Sequence, residues 1–208
     1  MKLVVLVAVP AALGLIVMAE PLVATIFYGG VFTEFDVRMT ALSLQAFSIG
    51  LVGFSFVKIL APAYFAREDT RTPVKIGLIA LLVNLVLSVT MAYFMQRAGY
   101  VGTHAGLALA ISIAALVNAY LLYRGLRRDG IVQHSAGWPA MLLKFVAANV
   151  GMVICLAMLS RPLQWWIEVG GFNRVIWLLV DVAAGVAVYF LVLYSLGVRT
   201  STLRLHTE

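Results

Sequence analysis

The sequence predicts an all-α, polytopic membrane helix bundle with six transmembrane helices. Three observations carry that: 63% of the 208 residues are hydrophobic and only 12% charged, the mean hydropathy is +1.02, and the apolar residues fall into six long runs. A globule of this size must wet most of its surface, so this much apolar side chain needs lipid as its second solvent. A spanning helix needs about 20 mostly apolar residues. Such runs lie at 3–19, 39–63, 74–95, 105–123, 139–159 and 175–197, separated by short polar joints with no soluble domain between them.

The first run, MKLVVLVAVPAALGLIVMA, also has the make-up of a secretory signal, with Lys2, an apolar stretch and small Ala19. Its length, and the interruptions at Pro10 and Gly14, favour a span instead.

Orientation follows from basic residues, which cytoplasmic loops retain. With the N-terminus inside, Lys2, Arg67, Arg71, Lys75, Arg124, Arg127, Arg128, Lys144, Arg199 and Arg204 fall on the cytoplasmic side, and Arg38, Arg97, Arg161 and Arg174 on the other. Ten against four places both termini in the cytoplasm. The basic residues flank apolar runs and form no stripe, which argues against a nucleic-acid partner. Trp138, Trp165, Trp166 and Trp177 lie near the ends of the runs, where indole rings anchor in the headgroup layer.

The densest charge is in FAREDTRTPVKI, residues 65 to 76, with five charged side chains. It reads as a tight turn between the second and third spans, with Thr72 as N-cap and Pro73 as first helical residue. Lys58 precedes it inside a span. A lysine in hydrocarbon is by default a functional candidate, although roughly 9 Å of helix beyond it is within snorkelling reach. Facing a cavity, Lys58 would draw a phosphate as a point charge.

Asp181 is the only carboxylate inside a run and reads as a hydrogen-bonded or protonated acid at a helix interface. Asn84, Ser88, Ser112, Asn118 and Asn149 read as interhelical hydrogen-bonding residues. Asn84 and Ser88, one turn apart, would alternatively offer oxygens to a small cation. His104 falls in a loop. A single cysteine, Cys155, excludes a disulfide framework, and no hydrolase, phosphate-loop or zinc-protease pattern is present, so no enzyme and no cofactor are expected.

Residues 29 to 76 carry G-x-F followed by an acidic stretch, then K-x-L-A-P-x-Y-F-A and the charged D-T-R-T-P-V-K-I turn. This string resembles the MurJ/MviN family of lipid II flippases, within the multidrug/oligosaccharidyl-lipid/polysaccharide superfamily. GLALAISIAALVNAYLLY, residues 106 to 123, is similar to the family's next helix.

The resemblance implies a fourteen-helix flippase of two six-helix lobes and two extra C-terminal helices, of which this chain supplies the last six. Residues 1–126 would be four helices of the second lobe, and 127–208 the C-terminal pair with a short cytoplasmic tail. Met1 then falls mid-protein, so the chain is a fragment or a late start. The implied function is translocation of undecaprenyl-pyrophosphate-linked peptidoglycan precursor across the bacterial inner membrane by alternating access, in cell wall biogenesis. The implied partners are that lipid-linked precursor, membrane lipids and the missing N-terminal lobe, without which the chain would be inactive.

Lys58, Arg67, Arg71 and Lys75 match the family's basic inner mouth and would meet the pyrophosphate. Some members hold sodium in the second lobe, but the stretch with Asn84 and Ser88 lacks a carboxylate, which puts that site in doubt. A related polysaccharide or drug flippase, and a non-transporting membrane scaffold, are the alternative readings.

Overall fold

The computed structural model describes residues 2–99, 102–132 and 138–198; the expected cytoplasmic positions Arg199 and Arg204 lie outside them. The described chain is all-α, with helices α1 (Lys2–Val17), α2 (Ala19–Phe27), α3 (Glu34–Phe65), α4 (Arg71–Arg97), α5 (Thr103–Arg128), α6 (Trp138–Leu159), α7 (Leu163–Glu168) and α8 (Gly171–Ser195). Five helices are long and apolar enough to cross a membrane, and α1 with α2, bent by 70° at the break between them, passes the same test only as a pair, six in all if that pair is one span. The chain is a multi-pass membrane protein.

The bend falls at the end of the expected first run, 3–19, and α2 occupies residues expected in the polar joint after it; Pro21 weakens the helix there. A proline ring clashes with the carbonyl four residues earlier and brings no N–H to it; four residues before Pro21 is Val17, where α1 stops. Helical structure then resumes through α2 until Tyr28, ahead of the Gly29–Gly30 turn with its positive φ angles. Pro10 sits inside α1 without breaking it. Its missing N–H frees the Leu6 carbonyl, and the Tyr189 hydroxyl of α8 donates to that carbonyl at 2.8 Å.

The helices fall into two compact units, one built from α3, α4 and α5, the other from α1, α2, α6, α7 and α8. In the first, α3 and α5 touch backbone to backbone. A Cβ added at Gly53 would lie 2.7 Å from the Ala115 carbonyl carbon, and one at Gly50 would lie 2.7 Å from Ser112 Cα. Small residues permit that approach in lipid, where packing and hydrogen bonds replace the hydrophobic drive. Ser112 Oγ, fully buried, uses the closeness to donate to the Ala46 carbonyl at 2.7 Å. Further along, Tyr64 donates to the Leu122 carbonyl at 3.0 Å within a core of Leu60, Leu122 and Leu126.

Ser112 thus joins helices as expected. Asn149 instead donates to Phe145 of its own helix at 2.8 Å, and Ser88 to Asn84 Oδ1 at 3.3 Å. His104 stands in the first turn of α5, not in a loop.

In the second unit α8 packs on α6, α1 on α6, and α2 against α7 and α8. Between α1, α6 and α8 runs a groove of about 500 Å³ whose lining, including Pro10, Gly14, Met152 and Gly185, is almost wholly apolar.

Gly53→Ala is expected to destabilise the α3–α5 contact by about 1–3 kcal/mol, the usual cost of overpacking, read as a lower unfolding midpoint in detergent. Gly14→Ala, where a Cβ meets nothing within 4 Å, is the matched control and should not lower it.

Candidate functional site

The charged turn is built by two interlocking helix ends. At the close of α3 the Glu68 N–H donates to the Phe65 carbonyl at 3.0 Å and the Asp69 N–H to the Tyr64 carbonyl at 3.1 Å. This paired pattern closes a helix through a residue in the left-handed region, here Glu68 at φ 58°, a place glycine usually fills. Asp69 then opens α4, its Oδ1 accepting the Thr72 N–H at 3.0 Å. The capping side chain is therefore Asp69 and not Thr72, because α4 begins at Arg71, two residues before the start that the Thr72–Pro73 pattern implied. Hydrogen bonds from Thr72, first its side chain and then its backbone, hold the Asp69 carboxyl below its ordinary value of 3.8.

Arg67 Nη1 meets Asp129 Oδ2 at 2.9 Å and so ties the turn to the end of α5. Both partners are nearly half exposed, which makes the pair weak in water and exchangeable. Arg71 and Lys75 are exposed and lie one turn apart on α4, so they share a face. Lys58 is exposed on α3, about 10 Å before the helix end at 1.5 Å per residue. Pro62, inside α3, removes the N–H that would otherwise reach the Lys58 carbonyl. Two features that hydrocarbon disfavours, a cation and a freed carbonyl, thus coincide at one residue. Among the described residues no group of three or more His, Cys, Asp or Glu side chains could hold a metal ion.

The second unit holds a charged cluster that the sequence did not announce. Asp181, 1% exposed, accepts from Arg161 Nη1 at 3.0 Å. Its other oxygen has no hydrogen-bond partner among the described residues. The Arg161 guanidinium lies between the rings of Trp165 and Trp177, 4.5 Å from each centroid. Trp166, one of the expected headgroup anchors, is fully buried instead, because α7 turns it inward. Asp181 was expected at a helix interface as a neutral or hydrogen-bonded acid; the cation facing it comes from 20 residues earlier. Sequence spacing alone does not put Arg161 at the depth of Asp181, since that depends on how α7 folds.

Two predictions follow from these contacts. Asp69→Asn should keep most of the cap at neutral pH but remove its acid sensitivity. With the folded value depressed, the native contribution is complete above about 3.8 and disappears as pH falls through the lower folded value. Thermal midpoints measured from pH 2 to 6 should therefore converge for Asp69 and Asp69→Asn only at the acid end. In the other unit, Arg161→Gln should cost more than Asp181→Asn, by about 1–3 kcal/mol in denaturant titrations, because it strands a buried carboxylate with no other partner. Asp181→Asn leaves a partly exposed guanidinium still stacked on two indoles.

Comparison with known proteins places this arrangement. Residues 1–175 match the family model described as "Lipid II flippase MurJ". The "Probable lipid II flippase MurJ" of Vibrio cholerae is 37% identical over 207 residues, covering 100% of this chain and 38% of that protein. The protein of the same description from Haemophilus influenzae is 36% identical, covering 95% of this chain and 37% of that protein. The "Lipid II flippase MurJ" of Burkholderia cenocepacia is 43% identical over 152 residues, 73% of this chain and 27% of that protein. The chain thus spans well under half the length of these relatives. With a family match over most of its residues and similarity along its whole length, the chain belongs to the lipid II flippase MurJ family.

Proposed function

We propose that this chain acts as the C-terminal part of a lipid II flippase, moving undecaprenyl-pyrophosphate-linked peptidoglycan precursor from the cytoplasmic to the periplasmic leaflet of the bacterial inner membrane. The observation that carries the reading is the match to the Vibrio cholerae protein along the whole chain. Residues 1–126 supply four helices of the second lobe, and 127–208 the C-terminal pair and tail. Both termini are cytoplasmic, and the work is transport, not catalysis. Alternating access needs a second lobe to rock against, so the N-terminal lobe is the required partner.

In this reading Lys58, Arg67, Arg71 and Lys75 form the basic inner mouth. The geometry supports distinct roles. Arg71 and Lys75 offer exposed cations on one face of α4, and Arg67 can exchange its weak partner Asp129 for a more highly charged pyrophosphate. Lys58 stands deeper, and the freed carbonyl beside it favours a watered wall over lipid. The apolar groove between α1, α6 and α8 has the chemistry to hold an isoprenoid tail.

Growth rescue of a flippase-depleted bacterium by the intact native protein tests this. Lys58→Ala should lower rescue roughly tenfold at unchanged protein level, the scale of one lost contact of about 1.4 kcal/mol. Full rescue would make Lys58 a snorkelling residue. Reconstituted alone in liposomes, the 208-residue chain should leave labelled precursor in its original leaflet. Translocation by the isolated chain would overturn the half-machine reading.

A further inference from the structure

The two arms of the broken span, α1 and α2, are each held by a contact from outside the break. α1 is fixed by Tyr189 at the Leu6 carbonyl. α2 is fixed at its far end by Arg174, a buried arginine with three donors in use. Arg174 Nη2 donates to the Ile167 carbonyl at 2.6 Å, Nε to Val169 at 2.8 Å and Nη1 to Tyr28 at 3.3 Å. Its guanidinium also lies 4.8 Å from the centre of the Tyr28 ring.

Tyr28 caps the C-terminus of α2 and Val169 that of α7. One cation therefore terminates two helices at once, where unsatisfied carbonyls concentrate partial negative charge. Arg174 itself sits in the first turn of α8, where a positive charge opposes that helix's own dipole. Nothing within α8 accounts for its burial. The contacts with α2 and α7 do.

Met18 is the joint between the two arms. Met18 N–H donates to the Gly14 carbonyl and Leu22 N–H to the Met18 carbonyl, both at 2.9 Å and both spanning four residues. One helical bond thus reaches back from Met18 and one comes forward to it, and Pro21 has no N–H to offer the Val17 carbonyl between them. Neither bond joins α1 to α2 across Met18, so neither sets the 70° between them.

We propose that the Pro21 bend is a hinge and that Arg174 is the latch holding its second arm, α2, against α7 and α8. Pro21 lowers the resistance to bending, and Arg174 sets the angle. Releasing the latch lets α2 swing toward the axis of α1 while Tyr189 keeps α1 in place. The device is a property of this unit and stands whether or not the proposed cargo is correct.

Spin labels at Val7 and Phe27, both exposed, read the angle. The two positions are 20 residues apart, so they lie about 30 Å apart in a straight helix and roughly 25 Å apart at the observed bend, using 1.5 Å per residue. The measurement uses the intact native protein in lipid nanodiscs, with Cys155 and any other cysteine replaced by alanine.

Arg174→Gln is expected to add a population near the longer distance. Pro21→Ala is expected to stay at the shorter one, because a single regained backbone bond does not outweigh the Arg174 hydrogen bond and ring contact at Tyr28. Straightening in Pro21→Ala with Arg174 in place would overturn the proposal, and so would one unchanged short distance in Arg174→Gln. Should Arg174→Gln fail to fold, the Pro21→Ala distance decides alone.

Discussion

In a medium without water, every backbone N–H and C=O must find its partner inside the protein, and several side-chain hydrogen bonds between helices serve that requirement. Tyr189 answers the carbonyl that Pro10 frees in α1. Tyr64 and Ser112 donate to carbonyls of neighbouring helices, Leu122 and Ala46, and thereby join α3 to α5. Arg174 closes the ends of two helices with one guanidinium. None of these bonds links two side chains. They run from a side chain of one helix to the backbone of another: at Leu6, Tyr28 and Val169 they reach carbonyls at a proline or a helix end, and at Leu122 and Ala46 they add a second bond to a mid-helix carbonyl.

The same requirement separates the prolines. Pro73 falls in the first turn of α4, where no N–H is needed, and does no harm. Pro10 falls mid-helix opposite a tyrosine that can reach the orphaned carbonyl, and α1 continues. At Pro21 α1 ends and the chain turns. Pro62 also lies inside an unbroken helix, α3, so a proline alone does not decide whether a helix stops here. Charges obey a parallel rule. Asp181, buried, is held by Arg161, whose apolar surroundings are two indole faces attractive to a cation. Arg67 and Asp129, exposed, make a bond of the same length that fixes little.

These rules explain what could be read from the sequence. The spans were legible because a 20-residue apolar run has few other uses, and the polar α3–α4 turn was legible because Asp, Thr and Pro cluster there. Which residue caps α4 was not, since Asp69 and Thr72 are both good caps and the choice depends on how tightly α3 closes over Glu68. The break in the first span was hidden because the apolar run ends near Glu20, so Pro21 looked like part of a loop, whereas helical bonding needs no apolar residues and carried on to Phe27. For the same reason α3 begins at Glu34, five residues before its apolar run. In the candidate site, the basic residues were visible from their unusual density. The Arg161–Asp181 pair and the Arg174 clasp were not, because each depends on the path of the short helix α7.

The two ends of the chemistry therefore rest on different kinds of structure. The basic turn is a short, hydrogen-bonded corner whose cations are exposed, so its geometry is set locally and its charges remain available to a ligand. The Arg161 and Arg174 clusters are the reverse: their cations are committed to carbonyls, a carboxylate and aromatic faces, and little of their charge is left for a ligand. Counting basic residues treats both groups alike. Counting the hydrogen-bond donors already in use separates them: Lys58, Arg71 and Lys75 stand exposed, Arg67 is held in an exposed ion pair, Arg161 is committed to the Asp181 carboxylate, and Arg174 to the ends of two helices.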